Sequence, residues 1–234
     1  MNPIFDFLLE PYRTASALNI SLELIAMVFG IASVLYAKKE NILVFPTGII
    51  STVIYVYLLS QWNLYGDLII NIYYTIMSIY GWYMWRKIID DKHIPISRTN
   101  KKDKIKAFGI FTFTSIFVII VYRYYNVMPN NLNFSESVSY AIKKLTSGNL
   151  KEFRQATPYL DTFTTGIFFA GMWLMANKKI ENWILWIVGN IVSIPLYFVK
   201  GYGFTGIQYT IFLILAIQAY FVWKKHLDNK TQTL

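Results

Sequence analysis

Trp183, Trp186, Asn190, Ser193 and Tyr197 follow one another along an apolar stretch at spacings of 3, 4, 3 and 4. On a helix those steps place every side chain on one stripe. Two indoles, an amide, a hydroxyl and a phenol can hold a polar aromatic ligand by ring contact and hydrogen bonding. They offer nothing for covalent chemistry. A second stripe carries Asp67, Asn71, Tyr74, Ser78, Trp82 and Trp85 at spacings of 4, 3, 4, 4 and 3. Thr47, Ser51 and Tyr55 form a shorter stripe, and Thr205, Gln208 and Phe212 share a face. The substrate-binding set read from these patterns is Trp183, Trp186, Asn190, Tyr197, Asn71, Tyr74, Trp82 and Gln208. Each amide needs several hydrogen-bond partners. Three of them beside Trp and Tyr in apolar stretches suggest a pocket, because polar groups are costly there. Ser51, Ser78, Ser193, Trp62, Trp85 and Trp223 suit a blander role equally well, stitching helices or forming aromatic belts.

The residues that enzymes use are missing. Cysteine is absent, and the two histidines, His93 and His226, fall in polar segments. No Ser/His/Asp, Cys/His or metal-ligand constellation is present, so neither an enzyme, a metal site nor a cofactor is expected. The letters of Gly201-Tyr-Gly203-Phe-Thr-Gly206 fit a dinucleotide fingerprint. That fingerprint requires a preceding strand and a βαβ unit, whereas this one joins two apolar stretches and reads as a turn. Glu23, Asp67 and Asp161 sit near the ends of such stretches. A proton-coupled pump needs titrating groups along its path, so passive facilitated diffusion is expected. A sodium site built from backbone carbonyls stays open.

The elements that position these residues are membrane helices. Of 234 residues, 55% are hydrophobic, 18% aromatic and 15% charged, against roughly a quarter charged in soluble domains. Apolar stretches at 20–37, 42–60, 66–85, 107–124, 159–177, 182–199 and 204–223 are each close to the roughly 20 residues that cross a bilayer. The fold class is therefore all-α and integral to the membrane, with seven transmembrane helices. Ala37-Lys38-Lys39-Glu40 resembles Ala176-Asn177-Lys178-Lys179, and Trp85-Arg86-Lys87 resembles Trp223-Lys224-Lys225. These pairs mark two parallel three-helix repeats joined by the fourth span, 3 + 1 + 3, an arrangement that places a site between repeats.

The domain reading follows from those spans. Residues 1–19 form an N-terminal interfacial segment and 20–87 the first repeat. Residues 88–125 hold a cytoplasmic loop and the linker span. Residues 126–158 are an external loop with a short amphipathic helix, capped by Ser135, apolar at Val138, Ile142 and Leu145, and ended by Gly148. The second repeat is 159–225, and 226–234 is a cytoplasmic tail. Fifteen Lys and Arg fall on one side of this topology and seven on the other, which puts the N-terminus outside and the C-terminus in the cytoplasm. The net charge of +9 is thereby explained by loops beside anionic lipid, and no nucleic-acid partner is expected.

Phe45-Pro46-Thr47-Gly48-Ile49, Tyr80-Gly81-Trp82-Tyr83-Met84-Trp85, Glu181-Asn182-Trp183-Ile184-Leu185-Trp186 and Asn190-Ile191-Val192-Ser193-Ile194-Pro195-Leu196-Tyr197 occur in this order. Together they resemble the PnuC family of bacterial vitamin transporters, from the first span to the last. Asn71 departs from the pattern, since Gln is expected there in many members. The resemblance implies a 3 + 1 + 3 fold related to SWEET sugar transporters. It also implies location in the bacterial inner membrane and nicotinamide riboside as the usual substrate. Uptake would be uncoupled, with a cytosolic kinase trapping the substrate as its phosphate. Thiamine, riboflavin and deoxynucleosides are carried by sister groups, so a thiamine transporter is the first alternative. A seven-helix receptor that binds without moving its ligand is the second. The cationic ring of nicotinamide riboside suits Trp and Tyr faces, and thiamine, also a cationic aromatic, suits them too. The sequence leaves homo-oligomerisation open.

Overall fold

The computed structural model describes residues 16–61, 65–89, 92–201 and 203–231. The expected interfacial segment falls, up to residue 15, outside the described residues. The described chain forms eight helices: α1 (Ala17–Lys38), α2 (Val44–Gln61), α3 (Tyr65–Arg86), α4 (Lys101–Tyr124), α5 (Phe134–Leu145), α6 (Leu150–Ala176), α7 (Asn182–Lys200) and α8 (Gly203–Thr231). A two-residue antiparallel ladder, β1 (Ile88–Ile89) with β2 (Lys92–His93), follows α3. Five helices, α1, α2, α4, α7 and α8, are long and apolar enough to cross a membrane. α3 and α6 are long enough, at 22 and 27 residues, but more polar.

The polarity of α6 has a local explanation. It is packed by α3, α4, α5 and α7, so little of its surface needs to be apolar for lipid. Its buried hydroxyls are satisfied within the helix: Thr162 donates to the Pro158 carbonyl (2.9 Å), Thr164 to Leu160 (3.0 Å) and Thr165 to Asp161 (2.7 Å). Pro158, the expected start of this span near 159, lies inside the helix instead. Proline removes the N–H that would bond the carbonyl four residues back. Thr157 Oγ1 donates to that carbonyl, Arg154 O, at 2.9 Å, and the helix continues from Leu150. Sequence patterning also placed the cap of α5 at Ser135. The cap is Asn133, whose side chain accepts from the Glu136 N–H while Glu136 accepts from the Asn133 N–H, a reciprocal box that Ser135 cannot make. The apolar face of α5 is exposed at Val138 and Ile142, and Ser137 and Ala141 turn inward. α8 continues without interruption to Thr231.

Six helices close a ring. α1 packs on α2, α2 on α3, α3 on α6, α6 on α7, α7 on α8 and α8 on α1. α4 and α5 lie outside it, each against α6. The α1–α2 and α6–α7 turns are equivalent in detail. Glu40 and Lys178, 138 residues apart, both have positive φ, 56° and 50°. The N–H of Asn41 bonds Tyr36 O (2.9 Å), and the N–H of Lys179 bonds Leu174 O (2.9 Å). Trp85 Nε1 donates to Met175 O (3.3 Å) and Trp223 Nε1 to Ala37 O (3.1 Å). Phe45 meets Trp85 edge-on at 5.0 Å, and Trp183 meets Trp223 edge-on at 5.5 Å. These buried aromatics, with Met172, Met175 and Ala216, form the apolar core at this end of the ring.

Candidate functional site

The ring encloses a cavity of about 530 Å³, within the range of ligand pockets. α7 contributes the central wall. Its stripe survives as read, with Trp183, Trp186, Asn190, Ser193 and Tyr197 all lining the space. Gly189 makes one contact possible, because a Cβ there would collide with the ring of Phe168. Phe168 stacks on Trp186 at 5.2 Å, and Tyr74 tilts across the same indole at 6.0 Å. Asn71, Tyr74 and Gln208 also line the cavity. Asn71 Nδ2 donates to the Asp67 carbonyl (2.9 Å), and Tyr55 OH donates to Gln208 Oε1 (3.3 Å).

Trp82 is the exception. It is 36% exposed and absent from the cavity wall. Counted from Asp67, Asn71 stands about 40° and Trp82 about 60° round α3, so direction changes little along the stripe. Trp82 lies a full turn beyond Ser78, the last α3 residue on the wall, at the level of the apolar core that includes Trp85. Thr47 likewise bonds its own helix, at Leu43 O (2.6 Å), and does not line the space. Trp85 and Trp223 belong to the core end rather than to an aromatic belt.

Four polar groups on α7 have no protein partner, all of them on residues of the cavity wall. Trp183 Nε1, Trp186 Nε1 and Ser193 Oγ are buried with no hydrogen bond. The Asn190 side chain, 2% exposed, makes none among the described residues. Buried polar groups are normally paired.

Position in the spans concealed the acidic residues. Glu23, Asp67 and Asp161, expected near span ends, all line the cavity. Asp161 is drawn in because α6 starts at Leu150, so it lies more than two turns inside the helix. Its two oxygens accept from Lys200 Nζ at 2.7 Å each. Asp67 Oδ1 accepts from Tyr197 OH at 3.1 Å. Tyr197 stacks on Tyr209 at 4.9 Å, and Lys200 Nζ lies 5.2 Å above its ring. Phe168, Tyr209 and Tyr55 complete the aromatic lining. Phe168 and Tyr209 were missed because each stands apart from the polar stripes. Among the described residues no cluster of His, Cys, Asp and Glu could hold a metal ion.

The chain matches a known group of proteins. The family model described as nicotinamide mononucleotide transporter matches residues 20–225. The nicotinamide riboside transporter PnuC of Escherichia coli K12 is 20% identical over 86% of this chain and 84% of its own length. The protein of that name from Neisseria mucosa is 26% identical over 86% and 71%. A crystal structure of the vitamin B3 transporter PnuC superposes with a TM-score of 0.63 at 21% identity, over 97% of this chain and 91% of that one, and so shares the fold. With the family model matched from α1 into α8, the chain belongs to the nicotinamide mononucleotide transporter family.

Proposed function

We propose that this chain takes up nicotinamide riboside across the bacterial inner membrane by facilitated diffusion. A cytosolic kinase would trap the substrate as its phosphate. The observation that carries this reading is the stripe of Trp183, Trp186, Asn190, Ser193 and Tyr197 along the wall of an aromatic cavity large enough for a nucleoside. Indoles beside Phe168 and Tyr74 offer faces for a cationic ring, and the amides and hydroxyl suit its carboxamide and ribose. Trp183, Trp186, Asn190, Tyr197, Asn71, Tyr74 and Gln208 remain the proposed binding set, and Trp82 is dropped from it. The same-named relatives transport the riboside, while the family description names the mononucleotide. The wall favours the riboside, since among the described residues it carries three carboxylates and no Lys or Arg to meet a phosphate.

We further infer that α3 and α6 span the membrane with the five more apolar helices. The seven would form two parallel triplets joined by α4, SWEET-like, with the basic end in the cytoplasm and the N-terminus outside. The matching turns 138 residues apart support this. Calorimetric titration of the purified chain with nicotinamide riboside, its 5′-phosphate, thiamine and riboflavin tests the substrate. Nicotinamide riboside should bind most tightly, and preference for thiamine would reassign the vitamin. Tight binding without flux in proteoliposomes would support a receptor instead.

A further inference from the structure

We propose that Asp67 is the residue by which this site selects a positively charged nucleoside, serving as the counter-charge of the cationic ring. This rests on the riboside reading above and names what the cavity uses to discriminate among similar ligands.

Two carboxylates of the wall are held in opposite ways. Asp161 receives an ammonium on both oxygens at 2.7 Å, so its charge is cancelled within the protein. Asp67 receives a phenol, Tyr197 OH, at 3.1 Å. A phenol orients a carboxylate without cancelling it. Lys200, the nearest described candidate for a second cation, is engaged by Asp161 and lies over the Tyr197 ring at 5.2 Å. Among the described residues no ion pair to Asp67 is found.

The position is suited to the role. Asp67 is in the first turn of α3 and Tyr197 is on α7, and these helices are separated in the ring by α6. The hydrogen bond therefore links two helices that do not adjoin in the ring and holds the carboxylate beside Tyr197, the last residue of the α7 stripe. Below it, Ser193 Oγ is 1% exposed and without a partner, and Asn190 follows one turn further down. From Asn190 to Tyr197 the helix rises about 10 Å, a length that a nucleoside fills. Uncharged groups thus face the substituents while one carboxylate supplies negative potential. Attraction between charges is strong in such low-dielectric surroundings, and retaining an uncancelled carboxylate at membrane depth is costly unless it is used.

The dihydro form of nicotinamide riboside has the same ribose and carboxamide on an uncharged ring, and so isolates the charge. Calorimetry on the full chain should show the wild type binding the cation at least tenfold more tightly than the dihydro form. Asp67→Asn keeps the acceptor for Tyr197 and should lower that ratio at least threefold, by weakening the cation, while the aromatic faces still favour the charged ring. Tyr197→Phe keeps the charge but frees its aim, and should lower the ratio by a smaller factor. An unchanged ratio in Asp67→Asn, or equal weakening of both ligands, overturns the proposal. A wild type that binds neither form overturns the riboside reading itself. If Asp67→Asn does not fold, an unchanged ratio in Tyr197→Phe overturns the proposal on its own.

Discussion

The Asn190 side chain is 2% exposed with no hydrogen bond among the described residues, so its amide adds no bond within the protein to stability. Replacing it with an apolar residue of similar volume separates binding from stability. Asn190→Leu should leave the melting temperature unchanged or raised while weakening nicotinamide riboside binding at least tenfold. Unchanged affinity by calorimetry removes Asn190 from the site. Gly189→Ala acts one residue away, about 100° round the same helix. Its Cβ would displace Phe168, and overpacking of this kind costs about 1–3 kcal/mol. A lower melting temperature with weaker binding is expected, and a silent substitution would show that the Phe168 ring moves freely. At this scale the α7 stripe was legible because five polar and aromatic residues keep strict helical spacing in an apolar background. Trp82 was misjudged because spacing along a helix gives direction but not the depth at which the cavity ends. Asp161 and Phe168 were not legible, since their access to the cavity depends on where α6 begins and which helices cover it.

The two equivalent turns meet at the basic end. Lys178 Nζ pairs with Glu40 Oε1 at 2.6 Å, with side-chain exposures of 6% and 27%, and lies 4.6 Å over the Trp85 ring. His226 Nδ1 is 3.7 Å from the other carboxylate oxygen. The pair joins corresponding positions of the two turns, so it ties the halves of the ring together. Removing one partner of such a buried pair strands the other charge, at up to about 3–5 kcal/mol when burial is complete; the partial exposure of Glu40 lowers that. Glu40→Gln should therefore reduce the melting temperature in detergent, and Glu40→Leu with Lys178→Met should recover much of the loss. A Glu40→Gln protein that melts like wild type would mark the pair as solvent-screened. The second turn has a further clamp: Ser97 exchanges backbone bonds with Lys178 O and Ile180 N at 3.0 Å each, and Thr99 N bonds Glu181 Oε2 at 2.9 Å. The likeness of the two turns was legible from Trp85, Trp223 and their basic neighbours. The docking of residues 97–99 was not, because a polar loop carries no periodicity to show what it packs against. Likewise Pro158 signals a helix boundary in isolation, and only the Thr157 hydroxyl reveals that the helix passes through it.

The polar groups of the whole ring are distributed by height, and that distribution bears on coupling. Glu23, Asp67 and Asp161 cluster where α3 begins and α7 ends, and Lys200 joins them. Towards the basic end the described wall becomes neutral, through Asn190, Gln208 and Ser78 to Met172, Met175 and Ala216. Proton relays need titrating side chains in succession across the membrane. Here the chain of carboxylates stops partway, and Glu40 and Lys178 beyond the apolar core engage each other. The gap supports the uncoupled movement proposed above. Labelled nicotinamide riboside should therefore equilibrate across proteoliposomes at equal rates with and without an imposed proton or sodium gradient, and never accumulate above the outside concentration. Asp67→Asn should slow entry of the cation yet leave this independence intact, because the carboxylate is assigned to selecting the substrate rather than to carrying a proton. Accumulation driven by either gradient in the wild type, lost in Asp67→Asn, would instead make the same residue a coupling site and defeat facilitated diffusion.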